Sequence, residues 1–279
     1  MKKAFLYVLL SIPFCGFSQN RESVENNIGW FGYFGDHRLS KKWSIHTEYQ
    51  WRRADFVTNW QQSLARFGVN YQLSDQAMVT LGYAQAQTFA YGQYPISIST
   101  KAGETQSFPE HRLYQDLLIK NNTGIFEINH RFKIEQRWLG NMYNSDNTRR
   151  DGDWKFMMRF RYRVRVAIPL KGKTIDDKEF YLHAFEELII GAGINVGANV
   201  FDQNRLNFGL GYRVTKDFRI EAGFLYQIVQ KSRTLDKYVS TDPVKPIFEY
   251  NTGFSIGVTY NFDFTKKDTP KPDIMPNHE

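Results

Sequence analysis

The 279 residues carry 36 Lys and Arg against 29 Asp and Glu, a formal charge of +7, with 23 Phe, 16 Tyr and 6 Trp in a chain whose mean hydropathy is polar. So many large rings in a polar chain suit a β-wall with aromatic girdles and a wet interior better than a soluble core. Cys15 is the single cysteine, which excludes a disulfide framework and a Cys-based metal site.

The chain opens MKKAFLYVLLSIPFCGFSQ. Lys2 and Lys3, the apolar run from Ala4 to Phe14 and the small Gly16 and Ser18 form the pattern of a cleaved secretory signal, expected to occupy residues 1–18. Phe14 before Cys15 is bulky where a lipoprotein signal has a small residue, so no lipid anchor is expected. No later apolar run reaches helix-spanning length, and any membrane insertion must therefore use strands.

From there the chain alternates with a period of two. KWSIHTEYQWR sets Trp43, Ile45, Tyr49 and Trp51 on one edge and His46, Glu48, Gln50 and Arg52 on the other. IFEINHRFKIEQRWL repeats the form, and KFMMRFRYRVRVAIP (155–169) places Arg159, Arg161, Arg163 and Arg165 opposite Phe160, Tyr162, Val164 and Val166. At 100° per residue those arginines would smear around a helix; at period two they make one cationic edge and one apolar edge. Further strands are expected near 25–34, 60–71, 77–89, 108–120, 180–190, 205–214, 218–228 and 248–262. Most are longer than the strands usual in soluble sheets. Short turns at 72–75, 121–124 and 215–217 alternate with longer polar connections at 90–107, 139–152, 191–203 and 231–246, as periplasmic turns and outer loops do, although 169–179 is long for a periplasmic turn and 55–59 short for an outer loop.

These features predict an all-β protein: a single antiparallel transmembrane β-barrel over residues 19–264 in the outer membrane, followed by a disordered periplasmic tail at 265–279. Eleven segments are legible. Because bacterial single-chain barrels usually have an even strand number, twelve strands are expected, with ten as the alternative. The missing strand would lie in 191–203 or beside the first segment.

If the aromatic edges face lipid, the charged edges face the lumen, where bases outnumber the acids Glu48, Asp116, Glu127, Glu135, Glu187, Glu221 and Glu249. Two readings follow. Arg159 and Arg161 would pair with Glu135 and Glu187 from neighbouring strands, alongside Arg137, in an ion network bracing the barrel. Arg131, Lys133, Arg163 and Arg165 would line an anion site or an anion-preferring passage. On the lipid side His130 and Gln115 interrupt the apolar edge and are expected to face one another at a partner contact. No serine shares that face on the three strands concerned, so a lipid-acting triad is disfavoured. No metal-ligand spacing, nucleotide loop or cofactor signature is present, and nucleic acid is not an expected partner.

The blocks HRFKIEQRW (130–138), RFRYRVRVAIPL (159–170), YLHAFEELII (181–190), LNFGLGYRVTKDFRIEAGFLYQ (206–227) and KKWSIHTEYQWR (41–52) resemble an outer-membrane β-barrel family of Bacteroidota type whose function is unassigned. In that family an Arg-rich strand, a proline and a strand with a buried acid recur. Arg159 through Arg165, Pro169 and Glu187 correspond here, and Glu135 with Arg137 match its Glu-x-Arg pair. The resemblance implies location and fold, and no substrate, reaction or cofactor. The expected partners are outer-membrane lipid and other outer-membrane proteins. The expected function is non-enzymatic: a structural or partner-binding barrel, with a narrow passage for small anionic or polar solutes as the alternative, and an envelope-lipid enzyme the least supported.

Overall fold

The computed structural model describes residues 21–93, 107–140, 154–196, 200–231 and 246–265. The leader expected at 1–18 and all of the expected tail except Thr265 lie outside the described residues. The described residues form β1 Glu22–Arg38, β2 Trp43–Ala54, β3 Asn59–Gln72, β4 Ala77–Thr88, β5 Phe108–Thr123 and β6 Phe126–Gly140. They continue as β7 Trp154–Pro169, β8 Glu179–Ala192, β9 Phe201–Thr215, β10 Phe218–Gln230 and β11 Ile247–Tyr260. Each strand pairs with the next, and β11 closes on β1 to complete a barrel.

Period-two alternation makes the barrel inside out relative to a soluble protein. Arg66 is 2% exposed while its neighbour Phe67 is 59% exposed. Such a wall is stable where hydrocarbon replaces water outside and each interior charge finds a partner. At the end of the short turns, outward rings pair as Trp43–Tyr71 at 4.7 Å, Phe180–Tyr212 at 4.6 Å and Phe218–Tyr260 at 5.8 Å. At the other end they pair as Trp51–Trp60 at 5.9 Å and Trp138–Phe156 at 5.3 Å. These are two aromatic girdles around an apolar belt, the pattern of a transmembrane barrel.

Eleven strands stand where the evenness argument led to an expectation of twelve. The segment 25–34 is a full wall strand, part of β1, and β8 and β9 are joined through 193–200 with no strand among its described residues. An odd number of strands forces the first and last to run the same way. The seam β1–β11 is accordingly parallel, in register from Glu22↔Ile247 to Phe34↔Thr259. The backbones approach closely there: a Cβ at Gly253 would run into the Ile28 carbonyl oxygen.

The hairpin between β5 and β6 turns on Gly124, with φ of 63°, and Ile125, so that Thr123 faces Phe126. This corrects the expected turn at 121–124. Connections 39–42, 73–76, 124–125, 170–178 and 216–217 cluster at one end, here the turn end; 55–58 and the strand ends at Thr88, Phe108, Gly140, Trp154, Ala192, Phe201, Gln230 and Ile247 lie at the other, the loop end.

Candidate functional site: an ion-paired lumen

Register places the charges first. Strands β6 and β7 bring Glu135 opposite Arg159 and Arg131 opposite Arg163, while β8 sets Glu187 between Arg163 on β7 and Arg205 on β9. Leaning of the side chains along the strands then decides which oxygens meet which guanidinium.

Glu135 is fully buried and accepts from Arg159 Nη2 at 2.8 Å and Arg161 Nη1 at 2.8 Å, with Arg66 Nη2 of β3 at 3.6 Å and Arg112 Nη1 of β5 at 4.0 Å. Arg161 also donates through Nη2 to both oxygens of Glu187 at 2.8 Å. Glu187 further accepts from Arg205 Nη1 at 3.2 Å and Arg131 Nη2 at 3.3 Å. Arg66 reaches Glu48 on β2 as well. A continuous line, Glu48–Arg66–Glu135–Arg161–Glu187–Arg205, thus crosses the lumen from β2 to β9. Charge-assisted bonds of this kind are roughly twice as strong as neutral ones, and the burial that strengthens them makes an unpaired member costly.

The other residues singled out from sequence divide. Arg137 pairs with Glu110, which Arg112 Nη2 also meets at 2.7 Å, so that Arg112 links this pair to Glu135. Lys133 Nζ lies 3.0 Å from Asp116, and Arg131 Nε lies 3.8 Å from the same carboxylate. Arg165 is paired with Glu221. Arg163 makes no hydrogen bond or ion pair to the described residues; its guanidinium lies 5.5 Å from the centre of the Phe185 ring.

The expected facing of Gln115 and His130 does not occur, because the shorter hairpin turn shifts the register. Gln115 lies opposite Ile134 and exchanges hydrogen bonds with Gln136 at 3.0 and 3.3 Å. His130 lies between Ile119 and Val164, its Nδ1 2.9 Å from the Tyr162 hydroxyl. A further outward pair, Asn204 Nδ2 donating to Glu186 at 3.0 Å, sits on β9 and β8. No line of nucleophile, base and orienting acid forms on this face among the described residues, nor is there a His, Cys, Asp and Glu cluster able to hold a metal.

Several lumenal groups escaped the sequence reading. Glu110 shares the phase of Arg112 and was legible from alternation. Asp202, 2.9 Å from Arg159 Nη1, begins β9 inside a stretch read as loop. Lys231, just past β10, lies 2.7 Å from Glu249, which also accepts from the Tyr91 hydroxyl at 3.0 Å. Burial, with Glu249 adding to it, pushes the Tyr91 phenol well above its ordinary range.

Two cavities occupy the lumen, one of about 160 Å³ toward the loop end and one of about 360 Å³ toward the turn end. Their shared walls are Trp30, Arg52, Arg161 and Arg205. The Trp30 ring lies 4.0 Å from the Arg52 guanidinium and 5.0 Å from that of Arg205, and its Nε1 donates to Gln61 at 2.6 Å. Arg52 has neutral hydrogen-bond partners, Gln50 at 2.8 Å and Gln62 at 3.0 Å. This waist is therefore aromatic, with Arg52 its one cation that no acid pairs among the described residues.

Residues 27–238 match the model of a family described as "Protein of unknown function (DUF2490)". No curated protein matches the chain. Among solved structures, one described as a NanC porin structure in a rhombohedral crystal form is similar at 14% identity, covering 84% of this chain and 98% of that one with a TM-score of 0.43. Neither its solute nor its working is carried over at that level of likeness.

Proposed function

We propose that this chain, which belongs to the DUF2490 family of proteins of unknown function, is an outer-membrane barrel that provides a narrow passage preferring small anionic solutes. The observation that carries this reading is the waist: two lumenal cavities share Trp30 and three arginines, of which Arg161 and Arg205 are paired with Glu187 and Arg52 has no acid partner among the described residues. Fixed cations at a constriction lower the energy of an anion there and raise that of a cation. Residues 1–18 would be the removed leader and 265–279 a periplasmic extension, with the turn end periplasmic. Glu135, Arg137, Arg159, Arg161 and Glu187 would hold the wall in shape, and Gln115 and His130 would lie on a face open to other membrane proteins.

Reversal potentials of the purified protein in a planar bilayer under a salt gradient test this. An anion-selective current is expected, weakened or reversed by Arg52→Glu, a position whose side chain holds no acid in place. A cation-selective current unaltered by that substitution refutes the reading. A silent bilayer favours the second reading, a sealed structural or partner-binding barrel, for which the continuous line of ion pairs from Glu48 to Arg205 speaks.

A further inference from the structure

The turn-end cavity holds polar groups that the ion network does not use. His183 is 5% exposed, yet neither ring nitrogen has a hydrogen-bond partner. Arg219 Nε is buried and equally without one, and Arg163 has Phe185 as its neighbour in place of an acid. Buried polar groups are ordinarily satisfied, and unsatisfied ones on two side chains of one cavity, with the half-buried and unpaired Arg163 beside them, call for a common cause. The charge balance points the same way: nine Arg and Lys line this cavity against five Asp and Glu.

Register gives the arrangement its shape. His183 shares a row with Ala167 on β7, Gly209 on β9 and Gly223 on β10, so the imidazole is flanked by positions with little or no side chain. Along β7, Arg163 stands four residues from this row toward the waist. Along β9, Arg213, the partner of Arg219 on β10, stands four residues from it toward the turn end. The two offsets run in opposite directions and together make eight strand residues, about 26 Å along the strands, so even with both arginines reaching inward one compact oxyanion cannot bridge them.

We infer that the turn-end cavity binds an elongated organic dianion, its two carboxylate-type ends held by Arg163 and Arg219 and its middle lying over the small row beside His183. Guanidinium suits each end because its planar fork meets two oxygens at once. This site goes beyond the passage reading, since a ligand would be held there whether or not the waist conducts.

Calorimetric titration of the purified full barrel in detergent, at fixed ionic strength, with acetate, succinate, adipate and suberate tests the inference. Adipate or suberate is expected to bind at least tenfold more tightly than acetate or succinate. Arg163→Gln and Arg219→Gln should each remove that advantage. Affinity independent of chain length, or a length preference that both variants retain, overturns the proposal. Should either variant fail to fold, the wild-type histidine ring resonances decide: adipate must shift those of His183 while leaving the outward His130 unmoved, and an unmoved His183 overturns it. A silent bilayer together with length-dependent binding would sink the passage and keep the site; conduction without such binding would do the reverse.

Discussion

Substitution of Glu187 by Gln is the most direct perturbation of the lumen. The carboxylate is 3% exposed and accepts from Arg161, Arg205 and Arg131 at 2.8 to 3.3 Å. Gln keeps the shape and one acceptor, but it removes the charge and turns an amide donor toward guanidiniums that can only donate. Hydrogen bonds to charged groups contribute about 1.5–3 kcal/mol each, and breaking a buried pair costs about 3–5 kcal/mol, so a loss of about 3–5 kcal/mol is expected. The neighbouring Glu186→Gln is the internal control. Glu186 points outward, its one partner among the described residues is Asn204, and the substitution should change stability by less than about 1 kcal/mol. Urea unfolding in detergent, followed by tryptophan emission and by the loss of the compact electrophoretic form, measures both. Equal, small losses would refute the reasoning, because they would mean that water already serves the three arginines.

Two other outcomes follow from the wall. The protein should fractionate with the outer membrane and show heat-modifiable migration, and recovery as a soluble periplasmic species would remove the basis for a transmembrane barrel. Gly253→Val should destabilise the parallel seam by about 3 kcal/mol or prevent closure, because its side chain meets the Ile28 carbonyl oxygen; unaltered unfolding would show that the seam can open to admit it.

Strand positions and the direction of each face were legible because hydrocarbon outside and charge inside impose a strict period of two, as Arg66 beside Phe67 illustrates. Alternation carries no information about closure. The sum over pairs of strands is satisfied equally by an antiparallel or a parallel last contact, and the general preference for even numbers drew the expected count away from the eleven segments that could be read. Register is similarly weak in sequence: NNTG looks like a turn, yet the chain turns on Gly124 and Ile125, and that difference separates Gln115 from His130. The lumen shows the same division. Which acids and bases share the interior follows from parity, and Glu110 could have been found that way. Which of them pair depends on how far each side chain leans along its strand: Glu187 lies opposite Arg163 in the sheet but is bonded to Arg161, two residues nearer the loop end. That lean leaves Arg163 without an acid. The residue that joins the turn-end cavity to its unpaired cations is thus set by three-dimensional packing of arginines around two carboxylates, which no one-dimensional pattern records.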